Sequence, residues 1–251
     1  MAEAAGRLAG RTAIVTGGGS GFGAGIARQF AADGARVAIL DLDAAAASDL
    51  AHEIGGIGIA ADVAAAASVE VGMATVLAAF GAVDILVNNA GIGQRPGALE
   101  TQDEALFDRL FAVNAKSVYL TARAVVPGMK QAGRGAILNV ASTGAIRPRP
   151  GLAWYNASKG WMVAATKAMA IELAPFGIRV NAINPVAGET PLLATFMGED
   201  SEEGRARMRA SIPIGRLSTP QDMGSAAAFL CSDEAAMITG VALEVDGGRC
   251  V

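Results

Sequence analysis

The sequence predicts a single α/β domain over residues 1–251, built on a doubly wound parallel sheet of seven strands with helices on both faces. Short, almost continuously hydrophobic runs alternate along the chain with longer alanine-rich segments, which is the pattern of a buried parallel sheet. No linker rich in proline and serine interrupts this alternation, so one domain is favoured. The composition, 52% hydrophobic and 18% charged with 32 glycines, is typical of a globular protein with a large core.

Each strand prediction depends on a short hydrophobic run that a helical segment follows. These runs are Thr12–Thr16, Arg36–Asp41, Ile57–Ala61, Asp84–Val87, Ala136–Val140, Arg179–Ile183 and Ala242–Val245. The one long irregular stretch lies between Pro185 and about Ser218, where glycines, prolines, acids and arginines are mixed. We expect a substrate-closing segment at about 185–218, although a plain surface excursion fits this composition almost equally well.

Charge and hydropathy exclude several classes of protein. The formal net charge of −4 argues against a nucleic-acid partner, which needs a basic surface. No apolar run approaches the ~18–20 residues that a membrane span requires. Met1 to Gly10 lack the long apolar core of a signal peptide, and Cys231 and Cys250 are too few for a disulfide scaffold. We therefore expect a protein of the reducing cytoplasm.

The metal-binding residue types are scarce. His52 is the single histidine, and it falls in an alanine-rich helical segment between Asp49 and Glu53. A solvent-exposed position on a helix is the favoured interpretation of such a residue. One histidine and two distant cysteines provide no recognisable zinc-ligand spacing, so no metal is expected, and a histidine-based catalytic triad is equally disfavoured.

A glycine-rich turn directly follows the first predicted strand and opens a helix. Thr16 to Gly23 have the spacing Gly-x-x-x-Gly-x-Gly, in which glycine lets the backbone approach a pyrophosphate closely. The N-terminus of the following helix then offers free N–H groups and a positive dipole to the phosphates. The predicted contacts with a dinucleotide are Gly17, Gly19, Ser20, Gly21, Phe22 and Gly23.

An acid ends the second predicted strand. Asp41 lies ~20 residues past the glycines, where a carboxylate can accept hydrogen bonds from both ribose hydroxyls of the adenosine half. The same charge would repel a 2′-phosphate, and no lysine or arginine lies in the glycine loop or directly after Asp41. The predicted cofactor is therefore NAD and not NADP, with Leu42 beside the acid.

Polar residues also follow the third and fourth predicted strands. Asp62 and Val63 are placed to meet the adenine. Asn88 to Gly91 come next, because asparagine and glycine tolerate left-handed backbone and their amides can tie strand ends together. Asn89, Ala90 and Gly91 are predicted cofactor contacts, but bracing of the sheet is the favoured role of the two asparagines.

Tyr155 and Lys159 lie one helical turn apart, on the same face of a predicted helix. An ammonium within ~4–6 Å of a phenol stabilises the phenolate and lowers the pKa of the phenol. A tyrosine tuned in this way can act as an acid or a base near neutral pH. The pair alone is weak evidence, but it follows a phosphate-binding glycine turn in the same chain.

Together these residues resemble the short-chain dehydrogenase/reductase family in its classical branch. The resemblance covers essentially the whole chain and implies a Rossmann fold. It depends on motifs in the expected order: Thr16–Gly23, Asp62, Asn88–Gly91, Asn114, Ser142, Tyr155–Lys159 and the segment from Pro185 to Thr190. One departure is that Val186 and Ala187 follow Pro185 where the family usually has glycine, and Gly188 comes later.

The resemblance implies a catalytic role for four residues. Tyr155 would move a proton to or from the substrate oxygen, and Ser142 would hydrogen-bond that oxygen. Lys159 would hold the nicotinamide ribose hydroxyls and depress the pKa of the tyrosine. Asn114, inside the long helix after Leu106, would anchor a water that links Lys159 to solvent, or it would only satisfy a neighbouring carbonyl.

The resemblance also implies contacts at the nicotinamide end and a quaternary structure. Pro185 would lie under the nicotinamide and Thr190 would bind its carboxamide. We expect a homotetramer or a homodimer, packed through the long helices that carry Asn114 and Lys159 and through the last strand and helix.

The substrate is the least determined feature. Walls of its pocket are expected from Gly93–Arg95, Thr143–Ala145, Arg147, Arg149, Leu152 and Leu192–Met197. Arg147 and Arg149 could bind a carboxylate, sulfonate or phosphate, but surface or subunit contacts are the favoured interpretation of this pair.

Three functions compete on this sequence. The first is an NAD-dependent dehydrogenase that interconverts a secondary alcohol, such as a sugar derivative or a small anionic hydroxy compound, and its ketone. The second is a 3-oxoacyl-thioester reductase acting on an acyl carrier protein, which usually prefers NADPH; Arg205, Arg207 and Arg209 are a thin basis for the basic patch it needs. The third, a non-catalytic nucleotide-sensing scaffold, is disfavoured because the catalytic residue types are intact.

Overall fold

A computed structural model describes residues 6–198 and 201–251. Their strands form a fully parallel seven-stranded sheet in the order β3-β2-β1-β4-β5-β6-β7. The strands are β1 (Thr12–Thr16), β2 (Arg36–Asp41), β3 (Ile57–Ala60), β4 (Ile85–Asn88), β5 (Gly135–Val140), β6 (Ile178–Pro185) and β7 (Ala242–Val245). The predicted fold class and all seven predicted strands are confirmed, with boundaries that differ by at most two residues. The first five residues of the N-terminal stretch discussed above lie outside the described part.

Helices cover both faces of the sheet. They are α1 (Gly21–Ala32), α2 (Ala44–Ile54), α3 (Ala66–Phe80), α4 (Glu104–Phe111), α5 (Ser117–Ala132), α6 (Ala153–Leu173), α7 (Leu193–Met197), α8 (Glu202–Ala210) and α9 (Pro220–Cys231). A π-helical stretch, Ala112–Lys116, joins α4 to α5. Within the described residues, no helix combines the length and the hydropathy needed to cross a membrane. His52 is exposed on α2, as predicted.

Alternate side chains of each strand enter opposite cores, because successive side chains of a strand point to opposite faces. In β1, Val15 packs with α1, α2 and α9, whereas Ile14 packs with α3, α5 and α6. Both residues are completely buried. This explains why the strands are continuously hydrophobic rather than alternating, which is the signal that predicted a doubly covered sheet.

The order of the strands fixes where a ligand can bind. The chain passes from β1 outward to β2 and β3, then crosses back to β4 on the other side of β1. At such a switch point the loops after neighbouring strands diverge and leave a crevice at the carboxyl edge of the sheet. The glycine turn after β1 and the asparagines at the end of β4 both lie at this edge.

The stretch between Pro185 and Ser218 is more regular than the sequence suggested, because it contains α7 and α8. The hydroxyl of Ser201 caps α8 by accepting a hydrogen bond from the Gly204 amide. A small core of Val186, Leu193, Ile212 and Leu217 holds the described parts of the stretch together. Residues 199 and 200 of this predicted closing segment lie outside the described residues. Its closing role stays a prediction.

Candidate active site

The glycine turn is shaped to receive an anion at the start of α1. Gly17 and Gly21 have φ angles of 59° and 52°, a left-handed conformation that side chains disfavour. A Cβ on Gly23 would collide with the carbonyl oxygen of Gly17. Ser20 makes no side-chain cap and the first turn of α1 has no acid, so nothing from the helix itself neutralises its N-terminal amides.

Asp41 lies at one end of this crevice. Its Oδ2 accepts a hydrogen bond of 2.8 Å from the Gly19 amide, and its Oδ1 accepts one of 3.0 Å from the Asp43 amide. A carboxylate has further lone pairs, so it can still accept hydrogen bonds from a ligand. Gly19 therefore positions Asp41, while the neighbouring Leu42 is 78% exposed at the rim.

The asparagines after β4 brace the sheet, as the sequence favoured. Asn88 donates to the side-chain oxygen of Asn139 at 2.8 Å. Asn89 donates to the backbone oxygens of Thr16 and Gly17 at 3.0 and 2.8 Å. The glycine turn is thus fastened to the end of β4, and Asn89 also faces the crevice that lies between them.

Asn114 lies in the π-helical stretch and not in a regular helix, which corrects the sequence expectation. Its side chain is fully buried, accepts from the Ile92 amide at 2.9 Å, and donates to the Ile92 carbonyl and the Ser158 hydroxyl at 3.0 Å each. The side chain therefore connects the irregular segment that follows β4 to α6. The water-anchoring role of Asn114 stays a prediction.

Ser142 and Tyr155 meet at the carboxyl end of β5. The Ser142 hydroxyl oxygen accepts a hydrogen bond of 3.0 Å from the Gly144 amide, which leaves its proton free to donate. Tyr155, only 7% exposed, is held at its backbone by the Gln94 side chain at 3.0 Å, and its ring packs against Phe196. These contacts fix both hydroxyl groups before any ligand binds.

The electrostatics of the pair Tyr155 and Lys159 differ from the expectation. Burial raises the pKa of Tyr155, and this increase is opposed by a hydrogen bond with Ser142 and by the positive charge of Arg149. Burial lowers the pKa of Lys159 to about 8, and its Nζ donates to the Val140 carbonyl at 2.8 Å. In the free protein the pKa of Tyr155 therefore lies above its usual value, and the groups that oppose this increase are Ser142 and Arg149.

One cavity of about 670 Å³ collects most of the predicted residues. It runs from the glycine turn to the residues that follow β5 and β6. The predicted residues that line it are Gly17, Ser20, Gly21, Phe22, Asp41, Leu42, Asp62, Val63, Asn89, Ala90, Gly91, Ser142, Tyr155, Lys159, Pro185 and Thr190. Gly19, Gly23 and Asn114 do not line it, and their contacts above show that they shape its wall from behind.

The segment after β6 fits the glycine turn despite its unusual sequence. Val186 is buried in the small core of the 185–218 segment. Gly188 lies so close to the Phe22 ring that a side chain there would clash, and a Cβ on Gly21 would lie 3.3 Å from Thr190. Glycine is thus required at 188, two positions later than the family resemblance led us to expect.

A family model described as "Enoyl-(Acyl carrier protein) reductase" matches residues 17–249. The chain belongs to the short-chain dehydrogenase/reductase family. The glycine turn and the Tyr155–Lys159 pair are therefore motifs of an oxidoreductase family.

Two curated relatives and one solved structure are similar over nearly the whole chain. The sequence is 48% identical to 4-formylbenzenesulfonate dehydrogenase of Comamonas testosteroni, over 95% of this chain and 97% of that protein. It is 42% identical to D-threitol dehydrogenase of Mycolicibacterium smegmatis, over 98% and 95% respectively. A structure of 3-ketoacyl-(acyl-carrier-protein) reductase from Brucella melitensis complexed with NADH has 55% identity and a TM-score of 0.94, covering 97% of this chain and 100% of that one.

The cavity also contains a residue that sequence reasoning missed. Arg249 lines the cavity, and its backbone oxygen accepts a hydrogen bond of 2.5 Å from Arg147. Its position four residues after β7 was an available signal, because residues just past parallel strands share one edge of the sheet. Gln94 belongs to the predicted pocket wall Gly93–Arg95 but does not line the cavity; its contact with the backbone of Tyr155 was not predicted, because it depends on the distant α6.

The expected walls of the substrate pocket are only partly correct. Thr143, Gly144, Arg147, Arg149, Leu152, Leu192, Leu193 and Phe196 line the cavity. Gly93–Arg95 do not line it, and Ile92 does so instead. Gly93 is excluded because it packs directly against Leu192 and Phe196, which stand between it and the cavity.

Proposed function

We propose that this chain is an NAD-dependent dehydrogenase that interconverts a secondary alcohol and its ketone, with Tyr155 as the general acid/base. The observation that carries the proposal is the convergence of Tyr155, Ser142 and Lys159 in the same cavity as the glycine turn and Asp41. The names of the two relatives, a formylbenzenesulfonate dehydrogenase and a threitol dehydrogenase, support this class of reaction.

The residues present fit a dinucleotide. The glycine turn forms a cradle that a Cβ would fill, at a helix N-terminus without an acid of its own. Asp41 would accept hydrogen bonds from the adenosine ribose, and Asp62 and Val63 would lie beside the adenine. Asn89, Ala90, Gly91, Pro185 and Thr190 would surround the nicotinamide half, together with Lys159.

The preference for NAD over NADP is inferred from charge. Asp41 and Asp62 are the carboxylates among the residues that line the cavity, and Asp41 ends β2 beside the glycine turn. A 2′-phosphate at this position would face that carboxylate, and like charges at close range repel. The similar structure from Brucella melitensis is a complex with NADH, which supports the same choice.

Tyr155 and Ser142 would both contact the substrate oxygen, and they would have different roles there. In this cavity a bound nicotinamide would supply the acceptor for the hydride of the alcohol carbon. Tyr155 would take the hydroxyl proton and pass it toward solvent, leaving the ketone. Ser142 would donate a hydrogen bond to that same oxygen and so stabilise the charge that develops on it. Lys159 would hold the ribose hydroxyls, and its charge would assist ionisation of Tyr155.

The test is NADH formation with a panel of secondary alcohols, for the wild type and for Tyr155→Phe. We expect the variant to lose about 10²–10⁴-fold in kcat while it still binds NADH, measured by the fluorescence of the bound nucleotide. Tyr119→Phe is the matched control, because Tyr119 is the other tyrosine and is exposed on α5. Full activity of Tyr155→Phe would disprove the assignment.

A 3-oxoacyl-thioester reductase is the second candidate, since the similar solved structure carries that description. One feature argues against it here: on α8, Arg209 forms an ion pair with Glu202, which reduces the positive charge available to an acyl carrier protein. The cofactor does not separate the two functions, because that similar structure is itself a complex with NADH. Rates of acetoacetyl-CoA reduction and of secondary-alcohol oxidation with the same cofactor separate them, since much faster reduction of the thioester would favour the reductase.

The quaternary structure and the cellular location expected from the sequence are also proposals. Large apolar side chains are exposed on α5 and α6, among them Tyr119, Trp161 and Ile171, of which Ile171 is 79% exposed. We propose that these helices pack against other copies in a homotetramer or homodimer, which light scattering of the purified protein would test. Cys231 and Cys250 are free thiols, which suits the reducing cytoplasm.

A further inference from the structure

Three arginines come together at the substrate end of the cavity. Arg147, Arg149 and Arg249 all line it, beside the catalytic pair Ser142 and Tyr155. Two of them follow β5 and the third follows β7, so the topology brings them to one edge of the sheet. From the sequence, surface or subunit contacts were the favoured interpretation of the first two; in the structure both line the cavity, although Arg147 is also exposed.

Their positive charges lack a carboxylate partner. In the described part of the chain no Asp or Glu side chain lies within 4.0 Å of any of the three guanidinium groups. Arg147 donates to the Arg249 carbonyl, and Arg149 makes a long bond of 3.4 Å to the Phe196 carbonyl. Neutral carbonyl partners leave the charges uncompensated.

Arg149 is the most constrained of the three. Burial and the nearby charge of Arg249 both lower its pKa, which means that the two guanidinium groups are close enough to repel. The backbone of Arg149 is fastened to α6, because Asn156 donates to its carbonyl at 3.0 Å. The group is therefore held in an unfavourable place by the fold, and an anion between the two arginines would relieve the repulsion.

We propose that Arg149 and Arg249 form a subsite for the carboxylate or sulfonate group of a short hydroxy acid. A guanidinium group presents paired N–H donors that match the oxygens of either anion. Arg149 and Arg249 line the same cavity as Tyr155, so a short molecule bound by its anionic group can place its hydroxyl at the tyrosine. Arg147 positions the subsite by holding the backbone of Arg249. The inference names a substrate class for the proposed dehydrogenase and rests on that function.

Binding can be tested without any turnover. The complex with NADH is titrated with propane-1-sulfonate, with butyrate and with the neutral butyramide, and the nucleotide fluorescence is followed. We expect the two anions to bind at least about 10-fold more tightly than the amide. The affinities of propane-1-sulfonate and butyrate are then compared, to show whether the subsite prefers a sulfonate or a carboxylate. Anions that bind no better than butyramide would overturn the proposal.

Variants then assign the effect to the arginines. Arg149→Gln and Arg249→Gln should each reduce the preference for anion over amide by about 10- to 100-fold, and Arg149→Lys should keep part of it. Arg123→Gln, an exposed arginine of α5 outside the cavity, should leave the preference unchanged. An undiminished preference in both glutamine variants would overturn the subsite.

Turnover separates this inference from the proposed function. 2-Hydroxypropane-1-sulfonate, 3-hydroxybutyrate and 3-hydroxybutyramide are compared as substrates with NAD⁺. Selective anion binding without oxidation of any alcohol would contradict the proposed dehydrogenase but support the subsite. Equal kcat/KM for all three compounds would support the dehydrogenase and contradict the subsite.

Discussion

The buried ammonium of Lys159 makes the stability of the free protein depend on pH. Burial lowers the pKa of this group from 10.5 to about 8. Between these values the unfolded chain still carries a proton that the folded chain has released, so the free energy of unfolding rises with pH in this window. The interval corresponds to about 3 kcal/mol.

The substitution Lys159→Met isolates this contribution, because it keeps much of the side-chain volume and removes the charge. We expect the free energy of unfolding of the wild type, minus that of the variant, to increase by about 2–3 kcal/mol from about pH 7 to about pH 10.5. The measurement is urea denaturation of the cofactor-free proteins at several pH values and one protein concentration.

Lys167→Met is the matched control for this experiment. Lys167 lies on the same helix, two turns later, and is exposed. Its removal should leave the pH dependence of stability as in the wild type. A difference between wild type and Lys159→Met that stays constant with pH, or that falls as pH rises, would refute the reasoning.

Asp41→Ala should lower the preference for NADH over NADPH by about 10-fold or more, because the charged hydrogen bonds to the ribose are lost and the 2′-phosphate of NADPH is no longer repelled. The preference is measured as the ratio of the kcat/KM values for the two cofactors. An unchanged ratio would show that Asp41 does not select the cofactor. Arg149→Gln removes a charge that lowers the pKa of Tyr155, so the rising, low-pH limb of the pH profile for alcohol oxidation, which requires the phenolate, should move to higher pH. A limb that stays in place would mean that another group titrates there. Gly23→Ala forces a Cβ against the glycine turn, and we expect its Tm to fall with a loss of about 2 kcal/mol, whereas Gly128→Ala, which meets no atom within 4 Å, should not destabilise.

The fold was predictable because the sheet is buried on both faces. Each strand then reads as an uninterrupted hydrophobic run, such as Val15 and its neighbours, and the loops between runs carry glycine and asparagine. The predicted strand boundaries were less accurate. The sixth strand was predicted to end at Ile183, but β6 continues to Pro185. Proline is tolerated in that position because the strand is ending.

The candidate site was predictable where local chemistry sets the geometry. The glycine turn, Asp41 and the Tyr155–Lys159 pair each depend on spacing within a short segment. The contact between Gln94 and the backbone of Tyr155 depends instead on which distant elements meet, which single-sequence patterns do not encode. Arg249 was overlooked although its place just past β7 puts it at the same edge of the sheet. The pKa of Tyr155 was also misjudged, because spacing along a helix gives the distance between two residues but says nothing of the burial that dominates the outcome.

The π-helical stretch Ala112–Lys116 limits which segments can be exchanged between this protein and its relatives. A wider turn changes the rotational phase of everything downstream, so α5 leaves the stretch turned relative to α4. Removing one residue upstream of Asn114 would rotate its amide away from Ile92 and Ser158, although every side chain of the motif would still be present. Chimeras that preserve the residue types but alter the number of residues in this segment should therefore lose the hydrogen bonds of Asn114 to Ile92 and to Ser158 on α6.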